Sequence, residues 1–304
     1  MRTVLAVLLW CLCSASLERC REQGAVCGEE PSTTATQAYK FYAECPWNGI
    51  TAEHRTDGFG AQLTLMHGVY LKSFVDQVPY CGRVWSHVNH ESKKHDESAS
   101  IVANDLFRFA GGPVLGPAAK ENTTVVHSND LKFSLGKWYL YPEVLRRLKE
   151  AYWWQPKPDL AFYDDTSFQL AVHIRRGDVY SGNSRRYDDD MTYSKCLSYL
   201  VPLLARKQKK SVAVHIFSEA PPGNHSIEDA FNITIRDNNE QWLPTFHLST
   251  PVAETFHHMV VADAILIARS SFSRTAARLS QGLTFHLPDA KTDDGLTTNC
   301  LQAQ

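Results

Sequence analysis

The sequence lacks a strong net charge of either sign, and this absence narrows the classes of function. Its 31 Lys and Arg residues nearly balance its 33 Asp and Glu residues, which gives a formal net charge of −2 at pH 7. A nucleic-acid-binding domain normally carries a basic face or a high pI. We therefore expect no nucleic-acid partner.

Long apolar runs are also lacking, apart from one at the N-terminus. That run covers residues 4–13, follows Arg2, and is too short to span a bilayer comfortably. The small residues Ser14, Ala15 and Ser16 come next, as expected before a cleavage site. We predict a signal peptide over residues 1–16, with an uncleaved signal anchor as the alternative. Membrane contact is expected only in the second case, and the chain is expected in the secretory-pathway lumen (Golgi or ER) or outside the cell.

No two cysteines have CxxC spacing, which argues against a zinc site built on thiolates. Beyond the signal segment the cysteines are Cys20, Cys27, Cys45, Cys81, Cys196 and Cys300. An even number of cysteines in an oxidising lumen predicts disulfides, with the pairing left open. Glycosylation sequons at Asn122, Asn224 and Asn232 fit the same compartment.

The second half of the sequence alternates between strand and helix patterns. Strands are predicted at 168–174, 212–217, 233–235, 264–268 and 283–287, and helices at 192–209, 251–261 and 274–281. Such alternation is typical of βαβ units that form a parallel sheet. This half therefore belongs to the α/β class.

The first half shows the same class less clearly. We predict a strand at 39–42, a helix after the turn of Gly58 and Gly60, and a helix from Pro142 to about residue 154. A length of 304 residues with 43% hydrophobic content is enough for two cores. We predict an N-terminal α/β domain over residues 17–155 and a C-terminal Rossmann-like domain over residues 156–304, with a hinge at 154–158.

A pair of arginines directly follows a predicted strand that is largely apolar. Residues 168–174 read FQLAVHI, and Arg175 and Arg176 come next. Ligands of open α/β sheets bind beyond the carboxyl ends of the strands. A guanidinium is planar, permanently charged and able to grip two phosphate oxygens. The pattern predicts a pyrophosphate clamp.

Three ordered motifs resemble one family of glycosyltransferases. The first is His173-Ile174-Arg175-Arg176-Gly177-Asp178. It is similar to the first shared motif of the GDP-fucose-dependent fucosyltransferases of the α1,2, α1,6 and protein O-fucosyl group. Two later motifs, each after a predicted strand, resemble the second and third motifs of that family: Ile216-Phe217-Ser218-Glu219 and Ser270-Ser271-Phe272-Ser273. Gly58 and Gly60 resemble the glycine-rich turn before the family's first helix.

The resemblance implies a GT-B-type glycosyltransferase, with two Rossmann-like domains flanking a cleft. The N-terminal domain would serve the acceptor, and the C-terminal domain would hold GDP-fucose. The implied function is transfer of L-fucose, with inversion, to a glycan or glycoprotein acceptor in the secretory pathway. The alternatives are a non-catalytic lumenal glycan-binding protein of the same fold, or a transferase that uses another sugar nucleotide. The oligomeric state stays open.

Roles for the first motif follow from the charge that develops on the leaving diphosphate. A fixed cation there stabilises the transition state more than the ground state. Arg175 is assigned this role, since the first arginine is the essential one in the family. Arg176 is expected to orient the loop or to pair with Asp178, and Asp178 is a candidate general base. His173 alternates onto the same side of the strand as Arg175 and is expected near the nucleotide.

The other motifs supply the remaining contacts of the donor. Ser271, Phe272 and Ser273 precede a helix predicted from Arg274, where free amides favour phosphate, although the serines also suit N-caps.

Ser218 and Glu219 are expected at the base or ribose of the donor. Asp263 is assigned near the guanine by similarity to an acidic position of the family. Residues 188–190, an acidic run that imitates a metal-binding DxD, are interpreted as a solvated loop and as further candidates for the base. We expect no metal and no cofactor besides the donor substrate.

Overall fold

The computed structural model of the chain describes residues 49–53, 57–82, 105, 110, 123–131, 141–177, 179, 186–219, 227–229, 231 and 242–287. The strands are β1 (Ile50–Ala52), β2 (Thr124–Val126), β3 (Phe168–Ile174), β4 (Val212–Ser218), β5 (Pro244–Leu248), β6 (Ala264–Ile267) and β7 (Leu283–His286). The helices are α1 (Phe59–Asp76), α2 (Pro142–Trp153), α3 (Asp190–Gln208), α4 (Val252–Val261) and α5 (Ser271–Leu279). A 3₁₀ turn covers Ser128–Leu131.

The five strands from β3 onwards form one parallel sheet in the order β5-β4-β3-β6-β7. The chain starts in the middle at β3, builds outwards to β5, and then returns to build β6 and β7 on the other side. This is the 3-2-1-4-5 order of a doubly wound Rossmann-like sheet, whose order reverses between β3 and β6. The predicted α/β class is confirmed.

Most strands of this sheet were predictable from apolar runs. The predicted strand 168–174 is β3 to the residue, and β4, β6 and β7 each end within one residue of their predicted limits. β5 was missed because it begins with Pro244 and contains Thr245 and His247, so it has no continuous apolar run. The strand predicted at 233–235 lies outside the described residues.

One face of the sheet packs against α3 through apolar side chains. The stripe of α3 repeats at helical spacing and includes Tyr193, Leu197, Leu200 and Leu204, all buried. It belongs to the same cluster as every second residue of β3 and the alternate residues of β4. Each fully buried side chain of this size contributes about 1.5–3 kcal/mol. This face carries the hydrophobic core of the sheet.

The opposite face is rich in histidine and aromatic rings. A buried chain of hydrogen bonds joins Gln169 Oε1 to His215 Nε2 and His215 Nδ1 to His247 Nε2, each at 3.0 Å. The ring of Phe162 stacks against His247 at 4.0 Å between centroids and against His258 of α4 at 4.5 Å. We call His215, His247, His257 and His258 the histidine cluster. On this face of the sheet, the rings of the cluster fill the space that apolar side chains fill on the other face.

The adjacent residues His257 and His258 point to different neighbours. His257 Nδ1 lies 2.8 Å from Tyr152 Oη of α2, whereas His258 Nε2 accepts from the Phe162 amide at 3.3 Å. The two rings therefore do not converge on one point, as is usual for adjacent residues on a helix. Trp153 contacts His257 edge-on at 5.9 Å, and Trp154 is exposed.

The described part of the first half contains a parallel pair, β1 with β2, and the helices α1 and α2. Both helices pack on α5, and Lys149 Nζ of α2 donates to the Ser280 carbonyl at 2.6 Å. All the described residues belong to one compact unit. The division at residue 155 stays a prediction, and the strand predicted at 39–42 lies outside the described residues.

Most of the sequence features that indicate the secretory pathway lie outside the residues that the structure describes. The signal segment and the sequon residues Asn122, Asn224 and Asn232 fall outside the described residues. Cys81 and Cys196 are buried and disulfide-bonded, and their pairing stays a prediction. Within the described ranges, no helix is both long and apolar enough to cross a membrane.

Candidate functional site

The site lies where the loops after β3 and β6 diverge at the carboxyl edge of the sheet. β3 and β6 are hydrogen-bonded neighbours, with Val172 opposite Leu266. β3 leads to Arg175 and Arg176, and β6 leads to Arg269 and the start of α5. The chain moves in opposite directions from these two strands, which opens a crevice where Rossmann-like proteins bind nucleotides. The arginine pair therefore lies at the switch point.

Arg175 and Arg176 have different surroundings in this loop. Arg175 is partly exposed at the end of β3. Arg176 is turned into the protein: its Nη1 donates to the Arg175 carbonyl at 2.8 Å, and its Nη2 donates to the Asp188 carbonyl at 3.0 Å and to the Asp190 carboxylate. It also lies over the ring of Tyr187 at 4.4 Å. Arg176 is thus hydrogen-bonded to the backbone of its own loop and pairs with Asp190, while its predicted partner Asp178 lies outside the described residues.

Gly177 brings the loop after β3 against the end of β4. Its φ of +84° lies in the left-handed region, which favours glycine. A Cβ at this position would also lie 2.7 Å from Cδ of Glu219. The Glu219 carboxylate therefore rests directly on the arginine loop. This contact needs glycine for both its backbone and its lack of a side chain.

Glu219 occupies the place where Rossmann-like proteins hold a ribose. It is exposed and follows β4, the strand next to the central one, and a carboxylate at that end binds ribose hydroxyls in such folds. Ser218 precedes it; its Oγ is buried and has no hydrogen-bond partner among the described residues. The assignment of Ser218 and Glu219 to the base or ribose of the donor stays a prediction.

The third motif forms the first turn of α5. The helix begins at Ser271, three residues before the predicted start at Arg274, and its N-cap is Ser270, whose Oγ accepts from the Phe272 amide at 3.2 Å. Ser273 is fully buried, and its hydroxyl donates to the Ser270 carbonyl at 3.5 Å. Expecting Ser271 or Ser273 to be the N-cap was therefore wrong. Ser271 remains partly exposed at the positive end of the helix dipole.

The glycine turn of the first half packs directly on that helical turn. Gly58 is the N-cap of α1, and its carbonyl accepts from the amides of Ala61 and Gln62. A Cβ at Gly60 would overlap the backbone of Phe272. The structure brings Gly60 to the site, and the close approach of two backbones accounts for its lack of a side chain. Gly58 and Gly60 therefore help to place α5.

His173 lies between the arginine loop and α5. Its ring is 5.5 Å from that of Phe272. Burial, together with the charge of Arg175, lowers its pKa to about 3, so the imidazole is neutral. Its Nδ1 is buried and has no hydrogen-bond partner among the described residues. A neutral imidazole with an unused nitrogen is able to hydrogen-bond a ligand.

Asp263 lies at the opposite edge of the sheet. It directly precedes β6, and its Oδ2 accepts from the Gln169 amide near the start of β3 at 2.8 Å. Arg175 is six residues further along, which is about 20 Å of extended chain. The structure does not bring Asp263 to the arginines, and a guanine contact there would need a ligand that spans the sheet. Asp178 lies outside the described residues.

The acidic run before α3 is not the solvated loop that its composition predicts. Asp189 is the N-cap of α3 and accepts from the Thr192 amide at 2.7 Å. Asp190 pairs with Arg176, and Asp188 lies 3.2 Å from Nε of Arg269. Sequence reasoning missed these partners because the pairs form between separate loops. The one available signal was an arginine after each of two neighbouring strands.

A metal site is not evident in the described part of the chain. No group of three or more His, Cys, Asp or Glu side chains there is placed to hold a metal ion. The two carboxylates of the DxD-like run face guanidinium groups, which repel a cation.

Comparison with known proteins gives weak structural likenesses. No protein-family model matches the sequence, and no curated protein matches it. Among solved structures, the chain is similar to a mutant of Arabidopsis thaliana FUT1 in complex with GDP (11% identity, 88% of this chain and 77% of that chain, TM-score 0.42). It is also similar to POFUT1 in complex with GDP-fucose (11%, 79% and 97%, TM-score 0.37) and to the α1,6-fucosyltransferase NodZ from Bradyrhizobium soaked with GDP-fucose (10%, 80% and 95%, TM-score 0.34).

Proposed function

We propose that this protein is a GDP-fucose-dependent fucosyltransferase of the secretory pathway. The proposal is carried by one observation: the Arg175 loop, the Glu219 carboxylate and the first turn of α5 meet at the switch point of a Rossmann-like sheet. These groups suit a ribonucleoside diphosphate, with cations and helix amides for the phosphates and a carboxylate for the ribose. The choice of GDP-fucose follows from the resemblance of residues 173–178 to the family's first motif.

The proposed reaction breaks the bond between the sugar and the diphosphate. Negative charge builds up on the leaving phosphate oxygen, and Arg175 stabilises it without a metal ion. Inversion requires one direct attack by the acceptor hydroxyl, whose proton passes to a base. Asp178 remains our candidate for that base. A glycan or glycoprotein acceptor and a lumenal location are parts of the proposal that rest on the N-terminal segment and the sequons.

Donor binding is the direct test. Isothermal titration of the purified protein with GDP, UDP and CMP should show the tightest binding for GDP. Replacing Arg175 with Ala should slow fucose transfer by about 100-fold or more, as when other transition-state donors are lost. Arg175→Lys should recover little of this rate, because an ammonium lacks the planar fork.

The matched control is Arg206→Ala, which removes an exposed arginine from the last turn of α3. It should leave transfer and GDP affinity unchanged. An Arg175→Ala protein with normal turnover and a normal melting curve would contradict the proposal.

Two further outcomes separate the alternatives. Activity should persist in excess EDTA, and a loss of donor binding under EDTA would favour a metal-dependent site. Tight glycan binding without turnover on any donor and acceptor would favour the non-catalytic glycan-binding protein.

A further inference from the structure

The acidic run of residues 188–190 gives each carboxylate a separate task. Asp189 caps α3, Asp190 pairs with Arg176, and Asp188 pairs with Arg269. We call these three residues the acidic turn. The two ion pairs are largely shielded from water, because the side chains of Asp188 and Arg176 are only 9% and 11% exposed. Screening by solvent and salt is therefore weak at this turn.

The two arginines held by this turn come from the two loops that form the crevice. Arg176 follows β3 and Arg269 follows β6, and the crevice opens between these strands. A single turn at the N-terminus of α3 therefore ties both loops to one rigid helix. Since Arg176 also donates to the Arg175 carbonyl, the tie extends to the backbone of the residue that carries the proposed chemistry.

A carboxylate is needed at these positions because the guanidinium groups are partly buried. An arginine removed from water requires a compensating charge and full hydrogen bonding. Burial raises the pKa of Asp190, and the charge and hydrogen bond of Arg176 counteract that rise. Asn has nearly the same shape as Asp, so the substitution removes the charge and one acceptor oxygen with little change in packing.

We propose that Asp188 and Asp190 are positioning residues of the donor site, which fix the loops after β3 and β6 through Arg176 and Arg269. In this arrangement Arg176 does not grip the phosphates itself, because three of its hydrogen bonds already go to the protein. In the proposed site Arg175, whose carbonyl accepts from Arg176, faces the diphosphate. The catalytic part of this inference rests on the proposed function, whereas the fixing of the loops does not.

The first experiment needs no donor. Hydrogen–deuterium exchange should be compared in the full-length protein and in its Asp190→Asn, Asp188→Asn and Asp189→Asn variants. Asp190→Asn should speed amide exchange in residues 175–177, and Asp188→Asn should speed it in residues 269–271. Asp189→Asn is the matched control, because it removes a charge of the same run while Asn caps helices as well as Asp. Unchanged exchange in both loops would overturn the inference.

The second experiment measures the consequence for the donor. Asp190→Asn should lower kcat/KM by about 10- to 100-fold, mostly through kcat, because misplacing a catalytic group acts on the transition state. Asp190→Glu, which keeps the charge, should recover part of the loss. The effects of Asp190→Asn and Arg176→Gln should not be additive if the two side chains act as one unit.

The outcomes distinguish the two proposals. Additive effects, or loop exchange that speeds up equally in Asp189→Asn and Asp190→Asn, would show that the turn acts through general stability, and this would overturn the positioning role. Faster loop exchange without any GDP binding by the wild type would leave the loop tie standing and contradict the proposed function. If Asp190→Asn does not fold, the Asp190→Glu variant and the Asp188 and Arg269 pair provide the same comparisons.

Discussion

The two faces of the five-stranded sheet are built from different chemistry. Towards α3, the strands present Leu, Val and Ile side chains to an apolar helix stripe. Towards α4 and residues 160–163, the same strands present Gln169, His215 and His247 to aromatic rings and further histidines. The first face gains its stability from burial alone. The second depends on neutral imidazoles, so its stability should depend on pH.

The largest effect is expected on the apolar face. Leu200→Ala removes a fully buried side chain from α3 and should lower the free energy of unfolding by about 2–5 kcal/mol. Because none of the described residues of this apolar cluster changes its charge between pH 5 and pH 7, the loss should be the same at the two pH values. Denaturant unfolding at the two pH values measures this. A strongly pH-dependent loss would contradict the separation of the two faces.

The histidine cluster should make acid the next largest perturbation. Burial lowers the pKa of His215 and of His247 to about 4, and that of His257 to about 3. The unfolded chain therefore binds protons below about pH 6.5 that the folded chain excludes. Stability should fall as the pH drops from about 6.5 towards 4, and level off below the folded pKa values.

Replacing one histidine of the cluster should make the free energy of unfolding depend less steeply on pH. We expect His215→Gln to reduce the slope of the free energy of unfolding against pH by up to about 1.4 kcal/mol per pH unit between pH 6 and 4.5. This is the contribution of one proton. Nearby charges act on these rings: Asp164 raises the pKa of His215, and Lys157 lowers that of His257. Free energies of unfolding across the pH range test the slope. The control is His286→Gln on the edge strand β7, outside the cluster.

A smaller effect is expected from the aromatic cover of the cluster. Phe162→Ala removes the ring that stacks on both His247 and His258 and should cost about 1–3 kcal/mol at pH 7. Water would then reach the two imidazoles, so their pKa values should rise towards the ordinary range. NMR titration of the histidine ring protons measures this. Unchanged pKa values would mean that α4 and the strands, rather than Phe162, exclude the water.

The smallest effect should come from the amino edge of the sheet. Asp263→Asn weakens the hydrogen bond to the Gln169 amide and should cost about 1 kcal/mol, with GDP affinity unchanged. The comparison with Glu219→Gln, at the carboxyl edge, is the informative one: that variant should weaken GDP and leave the melting temperature nearly constant. A loss of GDP affinity in Asp263→Asn would restore the guanine assignment.

The contrast between edges shows which parts of the site could be predicted from sequence. A seven-residue run with five apolar residues predicted β3 to the residue, and thereby placed Arg175 at a carboxyl end. The same logic was sufficient for Asp263, which precedes a predicted strand and so belongs at an amino end. The assignment of Asp263 to the guanine followed the family resemblance instead of this geometry. By contrast, the Arg269–Asp188 pair joins loops that are far apart in the chain, and no local sequence pattern predicts it.

The starts of the helices show a related limit. Ser270, Ser271 and Ser273 all suit an N-cap, and only the backbone settles the choice, with Ser270 extended and the others helical. The predicted start at Arg274 was therefore three residues late. The three-residue error matters, because it decides whether the motif lies in a loop or presents the first turn of a helix to the crevice.

The contact between Gly60 and Phe272 indicates whether the protein can be cut into fragments that fold separately. α1 covers α5 so closely that no side chain fits between their backbones, and Thr64 and Thr275 share a hydrogen bond of 2.9 Å further along the same seam. A fragment that begins at residue 156 would uncover this seam, together with the aromatic rings of Phe256 and Phe272 that pack on Phe59. We therefore expect that the fragment of residues 156–304 does not fold as an autonomous unit. Expressed alone, it should aggregate, and supplying residues 49–155 in trans should rescue its solubility.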